Sequence, residues 1–84
     1  MNDRPSREQL GKALDAAGSA HHDYQKNTLG GVRDERWAGW YAAYVLGRLG
    51  DFVSPTDLAQ WLEQSPAGDD WSATAADYVI GRLP

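Results

Sequence analysis

The sequence predicts an all-α fold, a compact bundle of four helices in a single domain over residues 1–84. No segment alternates apolar and polar residues for long enough to form a strand, and helix start and stop signals divide the chain into four stretches. Two aromatic-rich blocks, beginning at Trp37 and Trp71, also repeat Trp, Tyr, Val, Gly, Arg and Leu in the same phase. We interpret these blocks as the two main core helices of one bundle.

The first helix is predicted over residues 7–28. Ser6 and Gln9 have the spacing of a capping box, in which each side chain binds the backbone N–H of the other residue. The apolar side of the helical pattern that follows includes His21 and Tyr24, and a pair of glycines after the last periodic residue ends the helix.

The second helix is predicted over residues 35–49, with Asp34 as its N-cap. One face of this helix is aromatic and carries Trp37, Trp40, Tyr41 and Tyr44. Another face carries small residues one turn apart, a spacing that allows a second backbone to approach closely: Gly39, Ala43 and Gly47. A helix that is apolar on all sides is usually buried, so we expect this one to be central and touched by all three others.

The third helix is predicted over residues 55–64, because Ser54 is a good cap and proline occupies the first helical position after it. The fourth is predicted over residues 71–83, with Asp69 or Asp70 as its cap. Every connection between the helices is short. Neighbouring helices should therefore pack antiparallel or at a steep angle.

The composition argues against several classes of function. A formal net charge of −4 and the absence of cysteine disfavour a nucleic-acid surface, a disulfide framework and a thiolate metal site. No apolar run approaches the roughly 20 residues that a membrane span needs. Residues 1–5, which we expect to be disordered, lack the hydrophobic segment of a secretion signal. We therefore expect a soluble, cytoplasmic protein without a metal or cofactor.

The residue pattern leaves two hypotheses about function. The favoured one is a small non-enzymatic module that binds a protein partner or itself through aromatic side chains, since Trp, Tyr and Arg predominate at interface hot spots. This patch would be built from Trp40, Tyr44 and Trp61, with Arg48 at its rim.

The alternative is a small-ligand or catalytic site between the first two helices, around His21. It would be lined by His21, Tyr24, Asp34, Trp37 and Tyr41. Adjacent His21 and His22 do not share a helix face, so they cannot both bind one metal ion from a regular helix. No complete catalytic or metal constellation is present, which makes an enzyme the less favoured interpretation.

A longer motif links the first two helices. His21-x-x-Tyr24, then Leu29-Gly30-Gly31-Val32 and Asp34-x-x-Trp37-x-x-Trp40-Tyr41-Ala42-x-Tyr44, resembles a family of small uncharacterised bacterial proteins without an established activity. The resemblance covers about residues 10–49, and Trp-x-x-Trp-Tyr-Ala is its most specific element. Family members often carry proline directly after the first tryptophan, where this chain has Ala38. The resemblance implies a helical fold and assigns no role to the six residues it highlights: His21, Tyr24, Asp34, Trp37, Trp40 and Tyr41.

Overall fold

The computed structural model describes residues 4–28, 30, 36–66 and 70–83, and these residues form four α-helices. The helices are α1 (Arg7–Asn27), α2 (Trp37–Leu49), α3 (Pro55–Gln64) and α4 (Trp71–Arg82). No strand occurs in the described part of the chain. The predicted all-α bundle of four helices is therefore confirmed, and each predicted helix end lies within two residues of the observed one.

Three helix starts use the caps that the sequence predicts. Oγ of Ser6 accepts a hydrogen bond from the Gln9 N–H at 3.0 Å, and Oε1 of Gln9 accepts one from the Ser6 N–H at 2.8 Å, which completes the capping box of α1. Ser54 and Asp70 each accept a bond from the N–H of the third residue of α3 and α4, at 3.1 and 3.4 Å. Each bond satisfies a backbone donor that has no partner within the helix.

The remaining predicted caps lie outside the described residues. These are Asp34, expected to cap α2, and Asp69, the other candidate cap of α4. In the structure α2 begins at Trp37, two residues later than predicted. Arg36 occupies the cap position, and its side chain makes no capping hydrogen bond.

The helices enclose one apolar core, and by backbone distance each helix has two neighbours. α1 packs against α2 and α4, and α3 closes the bundle against the same two helices. Within the described residues, no Cα atom of α2 lies within 8 Å of one of α4, and the same holds for α1 and α3. The largest fully buried side chains come from all four helices: Leu10, Leu14, Val45, Leu58, Leu62 and Val79.

The expectation that α2 is touched by all three other helices is met by side chains, because Trp37 and Tyr41 contact Trp71 of α4, but α2 is not buried on all sides. Helix α2 buries one side, including Ala42 and Val45, against α1 and α3. Its other side, with Gly39, Ala43 and Gly47, is exposed. Among the described residues, the backbone approach expected at these small residues does not occur, because a Cβ at either glycine would meet nothing within 4 Å outside its own stretch of helix. The physical reason is the bundle itself, in which α4 lies diagonally across from α2.

The segment before α1 packs against the end of the chain. Pro5 is buried, and the Arg4 guanidinium donates a hydrogen bond to the carbonyl of Leu83 at 3.0 Å. For these two residues the structure therefore differs from the disorder expected over 1–5, and residues 1–3 lie outside the described part. None of the helices in the described residues is both long and apolar enough to cross a membrane.

Candidate functional site

Seven aromatic rings, counting the imidazole of His21, form one continuous set of contacts between α1, α2 and α4. We call this set the ring cluster, and its members are His21, Tyr24, Trp37, Trp40, Tyr41, Tyr44 and Trp71. The helical period brings them together, because residues three and four positions apart point to the same side of a helix. The side of α2 that the sequence predicts to be aromatic therefore lies against His21 and Tyr24 of α1.

The outer part of the cluster is a stack of three rings. Trp40 lies between Tyr24 and Tyr44, with centroid separations of 5.7 and 5.6 Å and interplanar angles of 29° and 15°. All three side chains are partly exposed. We call this surface the aromatic face. Offset stacking of this kind contributes about 0.5–1.5 kcal/mol per pair beyond area burial, so the rings hold one another in place.

Arg48 borders the aromatic face. Its guanidinium donates a hydrogen bond to the hydroxyl of Tyr44 at 3.3 Å, and the side chain is otherwise exposed. The equivalent pair in α4 is differently placed: Arg82 bonds the hydroxyl of Tyr78 at 2.5 Å, and that hydroxyl donates to Oε1 of Gln64 in α3 at 3.3 Å. The Tyr78–Arg82 pair of α4 is thus hydrogen-bonded to a neighbouring helix. The Tyr44–Arg48 pair of α2 instead lies at the edge of the partly exposed aromatic face.

His21 lies beneath the aromatic face. Its side chain is 6% exposed, and among the described residues it is the one buried polar side chain. Its ring centroid lies 5.0 Å from Trp40, 5.2 Å from Tyr41 and 6.0 Å from Tyr24. The imidazole therefore fills the space between α1 and α2 and connects the outer stack to the inner rings.

The inner part of the cluster, whose side chains are likewise partly exposed, is a trio of edge-to-face rings that joins α2 to α4. Trp37, Tyr41 and Trp71 have centroid separations of 5.5, 5.6 and 5.7 Å and interplanar angles of 89°, 86° and 75°. Burial raises the pKa of the Tyr41 hydroxyl above its usual value of 10.0. Gly18 of α1 makes room for this hydroxyl, since a Cβ there would lie 3.4 Å from it. The trio bridges the diagonal of the bundle that the backbones leave open.

The structure brings most of the predicted site residues into contact with one another. Six of them lie in the ring cluster, and Arg48 contacts its edge. Trp61 packs on the core from α3 without a ring contact to the cluster, and Asp34 lies outside the described residues. Trp71 belongs to the cluster although the predicted site omits it. Its signal was present in the sequence, because Trp71 is the counterpart of Trp37 in the repeated block.

Metal-binding side chains are not clustered in the described residues. These residues contain no group of three His, Cys, Asp or Glu side chains that could hold a metal ion. Two shallow clefts lie elsewhere. One of about 330 Å³ lies between the first turns of α1 and α4, and one of about 410 Å³ lies between α2 and α3. Neither cleft is lined by a residue of the ring cluster.

Comparison with known proteins gives no information about the role of these residues. No protein family, curated protein or solved structure matches this chain.

Proposed function

We propose that this protein is a small helical interaction module that binds another protein chain through the aromatic face. The observation that carries the proposal is the partly exposed stack of Tyr24, Trp40 and Tyr44, with Arg48 at its edge. These are the residue types that contribute most to binding at protein interfaces.

The stack has the physical properties that a binding surface needs. A domain of this size buries only about 60–65% of its unfolded surface, so large aromatic side chains left partly in water forgo much of their stabilising burial. The stacking also fixes the rings before any partner arrives. Binding then requires little further loss of side-chain entropy, which is a main cost of association.

The charge of the chain supports a protein rather than a nucleic acid as the partner. Affinity for nucleic acid depends on clustered Lys and Arg, and this chain has a net charge of −4. Arg48 borders the aromatic face, and its guanidinium suits a hydrogen-bonded contact with a carboxylate or carbonyl of a protein. An aromatic centre with a polar rim is the usual anatomy of a protein interface.

The test is a quantitative affinity capture from the source cells with three immobilised proteins: wild type, Trp40→Ala and Trp61→Ala. Trp61 is the matched control, because it is a partly exposed tryptophan outside the ring cluster. We expect Trp40→Ala to lose the captured protein by about tenfold or more, whereas Trp61→Ala keeps it. Equal capture by folded Trp40→Ala and wild type contradicts the proposal.

The second candidate, a small-ligand site at His21, is supported by one observation. His21 is buried among three rings where the fold could have placed an apolar side chain. A fragment screen followed by NMR tests it, with the exposed His22 as the internal control. Ligand binding here would shift the ring signals of His21 and Tyr41 and leave those of His22 unchanged. A screen without such shifts removes this candidate.

A further inference from the structure

The ring cluster provides an unbroken path of ring contacts from α4 along α2. The path begins at Trp71, the first residue of α4, and passes to Trp37 and Tyr41 at centroid separations of 5.7 and 5.6 Å. It continues from Tyr41 to Trp40 at 6.2 Å and from Trp40 to Tyr44 at 5.6 Å. Because Trp37 and Tyr44 are seven positions apart, the path runs about 10 Å along the axis of α2.

Indole and phenol rings are the members of this cluster that can lose a single electron at a moderate potential. Electron transfer between two such rings falls off steeply with distance, so it is fastest between rings in contact. The imidazole of His21 is much harder to oxidise, although it also lies between the inner and outer rings. Among the described contacts, Trp40 is therefore the oxidisable ring that joins the inner trio to Tyr24 and Tyr44.

The tyrosines of the cluster differ in how readily they release a proton, which a phenol must do when it loses an electron. Burial raises the pKa of the Tyr41 hydroxyl, which lies against Gly18 of α1, so this phenol keeps its proton. The hydroxyl of Tyr44 instead takes part in an exposed hydrogen bond with Arg48, where water can accept its proton. Near neutral pH, a phenol that releases its proton to water is easier to oxidise than an indole. Tyr44 is thus a better end point for an oxidation than Tyr41.

We propose that the ring cluster relays oxidation through the protein, from an indole attacked by a diffusible one-electron oxidant to Tyr24 and Tyr44. The oxidant, a small radical, takes one electron from Trp37 or Trp71 and is itself reduced, while the indole N–H proton passes to water. The indolyl radical then takes one electron, by way of Trp40, from a tyrosine and regains a proton from water. The tyrosine hydroxyl loses its proton to water. In the net change one electron moves from the tyrosine to the oxidant and one proton from its hydroxyl to water.

The relay removes the radical from the side chains that pack on the core. Trp37 and Trp71 both lie against the buried core residues, where a long-lived radical would react with its neighbours. The phenoxyl radical forms on the partly exposed aromatic face, where a small reductant such as a thiol can return the electron. This activity needs no bound partner, so it stands independently of the proposed function.

Pulse radiolysis with the azide radical, which oxidises indoles in preference to phenols, tests the relay on the full chain. Trp61→Phe is the reference, because every tryptophan that remains in it belongs to the ring cluster. The absorption of the indolyl radical should decay while that of the phenoxyl radical rises, at a rate independent of protein concentration. Adding Trp40→Phe keeps a ring in the stack and should slow this transfer by more than an order of magnitude. Circular dichroism verifies that both variants are folded.

Peptide mapping after reaction with a nitroso spin trap locates the final radical. We expect the trap on Tyr24 and Tyr44, whereas Tyr78, a partly exposed tyrosine outside the ring cluster, is the internal control and should carry little of it. An indolyl radical that decays without a phenoxyl rise overturns the inference. The same conclusion follows if transfer is as fast with Trp40→Phe, scales with protein concentration, or labels Tyr78 as heavily as Tyr44.

Discussion

The indole of Trp40 and the phenol of Tyr44, one helical turn apart on α2, lie nearly parallel at 5.6 Å with an interplanar angle of 15°. Both side chains remain partly exposed. Tyr24 of α1 also stacks on Trp40, with the two ring centroids 5.7 Å apart. The rings thus join two helices and form a partly exposed surface at the same time, so the binding role that we propose for Trp40 coincides with a structural one.

Replacing Trp40 should measurably destabilise the bundle. Trp40→Ala removes ring contacts to His21, Tyr24, Tyr41 and Tyr44. We expect the free energy of unfolding to fall by about 2 kcal/mol, less than for a fully buried tryptophan because part of the ring is in water. Trp40→Phe retains a stacked ring and should lose less than about 1 kcal/mol. Guanidinium denaturation measures both values, and an unchanged midpoint for Trp40→Ala would disprove the structural role.

The two glycines inside α1 should respond differently to substitution. A Cβ at Gly11 would lie 3.9 Å from the Cβ of Ala76, an ordinary contact, whereas one at Gly18 would lie 3.4 Å from the Tyr41 hydroxyl. Gly11→Ala should therefore raise the free energy of unfolding by about 0.5–1 kcal/mol through helix propensity.

The effect of Gly18→Ala should be smaller, and Gly18→Val should destabilise by about 1–2 kcal/mol because its extra carbons meet the Tyr41 hydroxyl. Thermal unfolding of the three variants supplies the comparison. If Gly18→Val proves as stable as Gly11→Ala, the hydroxyl of Tyr41 does not lie against α1.

The partly buried side chain of Tyr41 should make stability depend on alkaline pH. Burial raises its pKa above the unfolded value of 10.0, so the fold favours the neutral phenol. The resulting stability is fully present below pH 10, and it is lost as the pH rises from that value through the folded pKa.

Denaturation midpoints between pH 8 and pH 11 measure this loss, and Tyr41→Phe isolates it from other groups that titrate in the same range. The variant should lose less stability than the wild type over that interval. Identical pH profiles would show that Tyr41 is not shielded from water.

The Ser54 cap of α3 should contribute measurably to the stability of the protein. Ser54→Ala removes the hydrogen bond that the N–H of Asp57 donates to Ser54 Oγ and should cost about 1 kcal/mol of unfolding free energy. Ser54→Asp keeps a capping oxygen and should retain most of the stability. Urea denaturation of the two variants provides the measurement. A loss of the same size in both would mean that the serine acts through something other than its cap.

These structural relationships differ in how far the sequence could predict them. The caps at Ser6 and Ser54 depend on residues three positions apart, so local pattern was sufficient. The aromatic side of α2 and its position near His21 follow from the helical period and from the short connection between two helices. Such features require no knowledge of the whole fold.

The incorrect predictions concern which elements meet in space. The exposure of Ala43 depends on how many helices surround α2, and a helical projection of a single segment contains no such information. The separation of Trp61 from the ring cluster and the inclusion of Trp71 depend likewise on the bundle as a whole. Only the shared phase of Trp37 and Trp71 in the sequence hinted at their contact.

Oxidative footprinting of the aromatic face, read out by mass spectrometry on the free protein and on the protein bound to its partner, tests the central claim most directly. We predict that Trp40 and Tyr44 are labelled in the dilute free chain and become protected on association, while labelling of Trp61 stays constant. Trp40 and Tyr44 that are labelled as slowly in the free chain as buried core residues, or equally in both states, would contradict it.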